Sequence, residues 1–383
     1  MINKNRLVKT FLELARLPGL SGKEGLVAAE IVRRLTRLGI KYRFDKPAGP
    51  ENRVGNLIAY LKGNVPAPAL LINAHLDTVG PVDHYGYRRR KNFLEAKGQS
   101  ILAADDRSGV AAILEALSHL AESGMRHGPL EIVFTVAEEI GLLGAKSLNC
   151  QILSARHGIV LDSDSPLEPV TAAPEAYRLK FKIHGKAAHA GIAPEKGINA
   201  IQIASRAISK LRLGRIDLET TANIGLLSGG SATNIIPELA EARGEARSHN
   251  LQKLQAQIEH MRQAFRRAVK EAKPRGRGFA GRPRLEEEII FDYPRMRLDS
   301  RSLVVRLMKE SAQSLGHELS PKVGGGGSDA NIFNAHGIES LVIGTGMDQV
   351  HTTSERLNLD QLYLGAQMLA RAIELFPSFV RSK

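Results

Sequence analysis

The sequence predicts an α/β protein with a central mixed sheet flanked by helices, interrupted by an inserted βαββαβ domain of ferredoxin-like order. Three observations predict it. Short, mostly apolar strand-like runs alternate with amphipathic helical stretches towards both ends of the chain. Residues 175–291 change to the order strand, helix, strand, strand, helix, strand. The length of 383 residues favours two domains, with about 150 residues each as a prior.

In chain order, residues 4–17 and 23–38 read as helices, with Gly39 as a stop. Leu70–Ala74 (LLINA), Leu130–Val136 (LEIVFTV) and Gly158–Asp162 (GIVLD) read as buried strands, and Ser340–Gly344 (SLVIG) as a fourth. Between them, Val110, Ile113, Leu114, Leu117 and Leu120 repeat with helical spacing. In the middle segment Tyr177–Ile183 alternates as a half-buried strand, and Ile198–Leu213 is helix-periodic. Ala222–Leu227 and Leu239–Arg247 are strand-like, Leu251–Lys273 is a long helix, and Leu285–Phe291 is a last strand. The expected organisation is therefore 1–174 and 292–383 as one domain, with 175–291 inserted through crossings near Pro174 and Phe291–Pro294.

Composition excludes several classes. Hydrophobic residues at 43% and charged residues at 24% are ordinary globular values, so disorder is not expected. No apolar run reaches the roughly 18 residues a membrane span needs. The N-terminal stretch is interrupted by Glu13 and Arg16 and reads as an amphipathic helix, not a signal peptide. A single cysteine, Cys150, excludes an intramolecular disulfide and a Cys-rich zinc module, and fits a reducing cytoplasm. The net charge of +13 invites a nucleic-acid reading. However, basic residues are dense only at 88–91 (RRRK) and 275–284 (RGRGFAGRPR). There is no Trp, and aromatics are 5%, so no base-stacking platform is evident. Neither nucleic acid nor membrane is expected as a partner; a basic surface can still attract anionic substrates.

In an open α/β sheet, ligands bind beyond the carboxyl ends of the strands, and each polar cluster here sits at such an end. After LLINA comes His75-Leu76-Asp77. Residues two apart on a strand face one side, so His75 can ligate a metal while Asp77 accepts from an imidazole N–H. Alone, the pair is common. Asp105-Asp106 opens a helix; it is either an acidic cap or a carboxylate whose two oxygens bridge two metals. Glu138-Glu139 follows LEIVFTV. The two glutamates either face solvent or divide into ligand and general base. Asp162 and Asp164 follow the third strand, and His351 follows the fourth after Gly344-Thr345-Gly346-Met347 and a short loop. One His or carboxylate at the end of each apolar strand is what a two-metal hydrolase requires. Cations about 3.5–4 Å apart need a bridging carboxylate, mixed terminal ligands and a nearby base. Such ligands suit zinc, with cobalt or manganese as alternatives. The run Gly324–Gly327 is not a phosphate loop, because no Gly-Lys-Ser/Thr follows it.

In this order the chain resembles the peptidase T-like branch of the co-catalytic zinc exopeptidases, a family that also includes aminoacylases, carboxypeptidase G and succinyl-diaminopimelate desuccinylase. The resemblance covers nearly the whole chain. It rests on NAHLDTV (73–79), AADDRSGVAAI (103–113), AEEIGLLGAKSL (137–148), VLDSD (160–164) and GKAAHAGIAPEKGINAI (185–201). GRIDLETTANIG (214–225), GGSATNIIPE (229–238), GEARS (244–248), GGGSDANIF (325–333) and MDQVHTTSE (347–355) continue it.

The resemblance implies an aminopeptidase, a tripeptidase acting on short peptides, with two Zn²⁺ per subunit; the cytoplasmic expectation rests on the single cysteine. N-acyl amino acid deacylase or carboxypeptidase activity is the alternative within the family. A non-catalytic basic nucleic-acid-binding protein is a remote alternative that rests on charge alone. By resemblance, His75, Asp105 and Asp162 would hold one zinc, and Asp105, Glu139 and His351 the other. Glu138 would be the general base and Asp77 would orient His75. Asp162 is taken over Asp164 because it stands where the family's ligand follows its strand. His189 in GKAAHAG would be a lid histidine reaching the scissile carbonyl oxygen, often across a dimer interface; otherwise it is a solvated loop residue. Asn234 and Arg247 match substrate-side positions. An arginine can clamp a carboxylate with two hydrogen bonds, although a strand-end ion pair explains Arg247 equally well. A homodimer through the inserted domain is implied.

Overall fold

Residues 1–47, 53–80, 82, 85–272 and 281–381 are described by the computed structural model; most of the Arg/Gly stretch, 275–280, lies outside them. The chain forms two units, Met1–Ala173 with Met296–Lys383, and Pro174–Arg295.

The first unit is built on four parallel strands in the order Leu130–Thr135, Leu70–His75, His157–Leu161, Glu339–Ile343. Their apolar runs follow from burial on both faces. Leu70, Ile72 and Ala74 pack into a core with Phe11 of helix Lys4–Ala15, Leu117 of helix Ala104–Ser123 and Leu369 of helix Leu359–Arg381. Leu71, Val133, Val160 and Val342 point the other way, into a smaller core with Phe333 of helix Asp329–Ala335. Antiparallel strands extend the sheet on both sides, which makes it mixed. Leu57–Leu61 and Lys41–Phe44 lie at one side, and Val170–Ala173 and Met296–Arg297 at the other. Ala173 pairs with Met296, so the chain leaves the first unit and returns to it side by side.

Each of the four central strands lies within a residue or so of its expected span. The periodic residues Val110, Ile113, Leu114, Leu117 and Leu120 are all buried. Gly124 ends that helix with φ 65°, a left-handed closure suited to glycine. A small sheet formed by Tyr87–Arg90, Phe93–Ala96, Met347–Asp348 and Arg356–Asn358 is not legible in the sequence. Strands of two to four residues are too short to show an alternation.

The second unit has the order strand Glu175–His184, helix Ala200–Ile208, strand Thr220–Gly229, strand Leu239–Ser248, helix Leu251–Glu271, strand Arg284–Tyr293. The sheet is antiparallel, with Glu175–His184 between Leu239–Ser248 and Arg284–Tyr293. Both helices pack on one face. Phe265 stacks on Phe181 with ring centroids 4.0 Å apart, a contact worth about 0.5–1.5 kcal/mol beyond area burial. The first helix is shorter than the expected 198–213. Its last turn tightens as Lys210 and Leu211 N–H donate to the Ala207 and Ile208 carbonyls. Gln257 then takes the Arg212 carbonyl, and His260 accepts from the Arg212 N–H, so the chain turns onto the second helix. The apolar spacing of Leu211 and Leu213 continued past the point where these tertiary bonds stop the helix.

Candidate metal centre

The carboxyl ends of the four parallel strands converge on a cavity of about 590 Å³ in the first unit. His75 ends its strand. Glu138 and Glu139 follow Leu130–Thr135, Asp162 follows His157–Leu161, and His351 lies in the turn beyond Glu339–Ile343. All five line the cavity together with Asp105 from the start of helix Ala104–Ser123. Asp105 is held between two imidazoles. Its Oδ1 lies 2.9 Å from His75 Nε2, and its Oδ2 lies 3.1 Å from His351 Nε2. His351 Nε2 is also 3.0 Å from Glu139 Oε1, and His75 Nε2 is 4.0 Å from Asp162 Oδ1. Asp162 is thus the aspartate beside His75, whereas Asp164 pairs with Lys322.

The backbone is unusual where these groups are carried. Ala103, Ala137 and His351 have φ of 58°, 51° and 64°. Non-glycine residues adopt such angles rarely, and functional segments collect them.

The electrostatics are those of crowded, buried acids. Burial pushes the carboxyls of Glu138, Asp162 and Asp106 well above their ordinary range, and Glu139 above it. Burial would raise Asp105 too, but the bonds to His351 and His75 outweigh it and hold that carboxyl low. The bonds to Asp105 and then Glu139 push His351 up to about 10. Among the described residues, no Lys or Arg donates to Asp105, Asp106, Glu138, Glu139 or Asp162. Ligand atoms of His75, Asp105 and Glu139 lie within 4.8 Å of one another, as do those of His75, Asp106 and Asp162. Of the two adjacent aspartates, Asp106 has both oxygens engaged by backbone, Oδ2 by His75 N–H at 3.2 Å and Oδ1 by Gly109 N–H at 3.1 Å. Asp105 is the one that faces the imidazoles.

Asp77 is fully buried and sits behind His75, with Oδ1 3.3 Å from His75 Nδ1. It also accepts from the Glu138 and Glu139 N–H groups at 3.0 and 3.1 Å and so holds the glutamate turn. Three supports were not read from the sequence. The Ser21 hydroxyl donates to Asp77 Oδ2 at 2.6 Å. Glu24 Oε1 accepts from the Ala137 N–H at 2.9 Å. Arg107, fully buried, donates to the Leu76 carbonyl, and a side chain at Gly19 would collide with its guanidinium. Burial lowers Arg107 to about 10, so it stays cationic near Asp77, Glu24 and Asp106. Ser21 and Glu24 lie in LPGLSGKE (17–24), where no pattern sets either apart as a partner of this site.

In the second unit, His189 and Asn234 lie on paired segments. Ala190 N–H donates to the Asn234 carbonyl at 2.9 Å, and His189 bridges Ile235. His189 Nδ1 accepts from the Gly191 and Ile192 N–H groups, both at 3.2 Å. Its proton therefore sits on Nε2. Arg247 is not with them. It pairs with Ala176 at the far end of strand Leu239–Ser248, about 27 Å along the strand from Leu239 at about 3.4 Å per residue. Its Nη2 donates to Glu245 at 2.8 Å, while its buried Nε has no partner.

Residues 71–375 match the model of Peptidase family M20/M25/M40. The uncharacterised protein YqjE of Bacillus subtilis is 37% identical over 376 residues, covering 98% of this chain and 99% of its own. A tripeptidase from Staphylococcus aureus is similar in structure with TM-score 0.89 and 35% identity, over 99% of this chain and 100% of that one. Aminopeptidase PepT from Bacillus cereus is similar with TM-score 0.83 and 36% identity, over 97% and 98%.

Proposed function

The chain belongs to Peptidase family M20/M25/M40, and on that premise we propose that it is a two-metal aminopeptidase that cleaves short peptides, tripeptides above all. The observation that carries this reading is Asp105, whose two oxygens face two different imidazoles. That is the arrangement a carboxylate shared by two cations needs. His75, Asp105 and Asp162 would hold one ion, and Asp105, Glu139 and His351 the other. The fit is also one of charge. Five carboxylates, three buried and two half-buried, and two imidazoles have no hydrogen-bonded Lys or Arg among the described residues, and bound cations would supply the missing positive charge. Mixed imidazole and carboxylate donors suit Zn²⁺, with Co²⁺ or Mn²⁺ as alternatives.

When bound, the metals would polarise the scissile carbonyl and make water more acidic. The rest is done by side chains. Glu138 takes a proton from the attacking water as its oxygen bonds to the carbonyl carbon. It then returns that proton to the leaving amine as the C–N bond breaks. Asp77 keeps His75 and the Glu138 turn in register. His189, with its proton on Nε2, is suited to donate to the developing oxyanion. Arg247, with an unpartnered buried Nε, is suited to a substrate carboxylate, and Asn234 to a polar contact beside His189.

A homodimer through the second unit is part of the proposal. Among the described residues, 223–229 of strand Thr220–Gly229 have no outer neighbour, and Leu226 and Leu227 are exposed there. Such an edge is a template for pairing with another strand. A cytoplasmic setting is supported by the single cysteine, buried and free. Among the described residues no helix is long and apolar enough to cross a membrane.

The test is metal analysis together with a panel of free tripeptides, dipeptides and N-acyl amino acids. Release of the N-terminal residue from tripeptides supports the reading. Release of C-terminal residues or of acyl groups moves it to carboxypeptidase or deacylase. No hydrolysis, with salt-dependent DNA binding instead, sinks it.

His189→Ala should bind metal as wild type does yet lose about 10²–10³-fold in kcat, the usual value of an oxyanion donor. If a partner supplies the histidine, mixing His189→Ala chains with Glu138→Gln chains should restore activity. Verified mixed dimers that stay inactive would exclude that arrangement.

A further inference from the structure

We infer that Glu355 is a positioning residue that fixes Asp105 against His351; this rests on the two-metal reading above. The backbone around Asp105 cannot satisfy itself. Ala103 is left-handed at φ 58°, and Asp105 and Asp106 depart from helical angles inside the first turn of helix Ala104–Ser123. No side chain of the cap residue closes that end, so its first N–H groups need an outside acceptor.

Glu355 provides it. Its Oε2 accepts from the Leu102 N–H at 2.7 Å and the Ala103 N–H at 2.8 Å, and its Oε1 from the Asp105 N–H at 3.1 Å. The residue is 1% exposed. Two oxygens thus hold three donors of the segment that carries Asp105.

Glu355 is itself held firmly. Its N–H donates to the Thr352 carbonyl at 3.1 Å, and its carbonyl accepts from the Ala96 N–H at 2.9 Å. Strand Arg356–Asn358 continues directly from it and pairs with Phe93–Ala96. Four residues upstream, the same turn presents His351, whose Nε2 meets the Asp105 carboxylate at 3.1 Å. One turn therefore grips Asp105 at both ends, the main-chain N–H through Glu355 and the side chain through His351. The distance between the bridging carboxylate and the second imidazole is set by Glu355.

The substitution Glu355→Gln keeps shape but offers one acceptor oxygen, and its NH₂ faces at least one backbone donor. The protein should fold, yet hold the metal shared by Asp105 and His351 more weakly. Changes at groups that orient ligands typically cost about 10–100-fold in metal affinity, and a rise of that size in one of two dissociation constants is expected. The other constant should move less, because His75 ends one strand and Asp162 follows another, and neither is bonded to Glu355. Turnover should fall at limiting metal and recover at saturating metal. Glu355→Asp, with both oxygens retained, should fall between Gln and wild type.

The readouts are calorimetric titrations of the metal-stripped full chain with Zn²⁺ and Co²⁺, run beside thermal melts. A folded Gln variant with wild-type constants for both metals, whatever its melting temperature, would overturn the inference and leave Glu355 a plain helix cap. Equal loss at both sites, not eased by Asp, would also overturn it. If Gln does not fold, the Asp variant decides by the same constants. The two-metal reading fails separately, in the wild type, if that chain binds fewer than two metals or cleaves no peptide.

Discussion

Glu138→Gln is expected to lower kcat by about 10²–10⁴-fold, the usual contribution of a general base, with metal content unchanged. The side chain lines the cavity with His75, Asp105, Glu139 and Asp162, and burial raises its proton affinity well above that of an ordinary glutamate. Those are the properties of a group that must accept a proton and give it back. The amide has the same shape and cannot accept the proton. What holds the residue in place survives the change, since Asp77 grips the Glu138 main-chain N–H and not its side chain. A loss of activity would therefore report chemistry and not misfolding. The measurement is steady-state kinetics on a tripeptide, paired with metal analysis of the same preparation. Wild-type kcat in a variant with full metal content would remove Glu138 from the base role.

Asp105→Ala is expected to do something different: metal content should fall at both positions. The carboxylate contributes one oxygen towards His75 and the other towards His351, so its removal takes a donor from each. Loss of an orienting group typically costs about 10–100-fold in affinity, and loss of a shared ligand should exceed that at both sites, leaving turnover at background. The main-chain N–H of residue 105 still reaches Glu355, and the helix that follows keeps its buried face. A folded protein without metal is the expected product. Retention of the wild-type metal content would refute the shared role.

Much of the fold was legible in short-range pattern. Leu70–Ala74 and Gly158–Asp162 read as buried strands because both faces are covered by core, which leaves the positions apolar apart from Asn73 and the terminal Asp162. Val110, Ile113, Leu114, Leu117 and Leu120 read as a helix from their spacing alone, although in the structure every residue from Ala104 to Leu117 is buried and not one face only. The candidate site was legible for a related reason. His75, Glu138, Glu139 and Asp162 are polar residues directly after apolar strands, and parallel strands bring their carboxyl ends to one edge of the sheet.

Only the tertiary structure decided the rest. By residue type alone Asp162 and Asp164 are alike, and only the resemblance preferred the first. Burial beside His75 separates the first from the second, which a lysine holds at the surface. The helix after Asn199 stops at Ile208 because Gln257 and His260 capture Arg212, a contact its own spacing cannot foresee. Ser21, Glu24, Arg107 and Glu355 serve Asp77, the glutamate turn, the Leu76 carbonyl and the Asp105 segment. They do so across 31 to 253 residues of chain. Strand and helix periods arise from neighbours a few residues away, so the amino-acid order displays them. The groups that hold a buried polar cluster in position are chosen by which donors the folded backbone leaves unsatisfied, and that is known only once the chain has closed on itself.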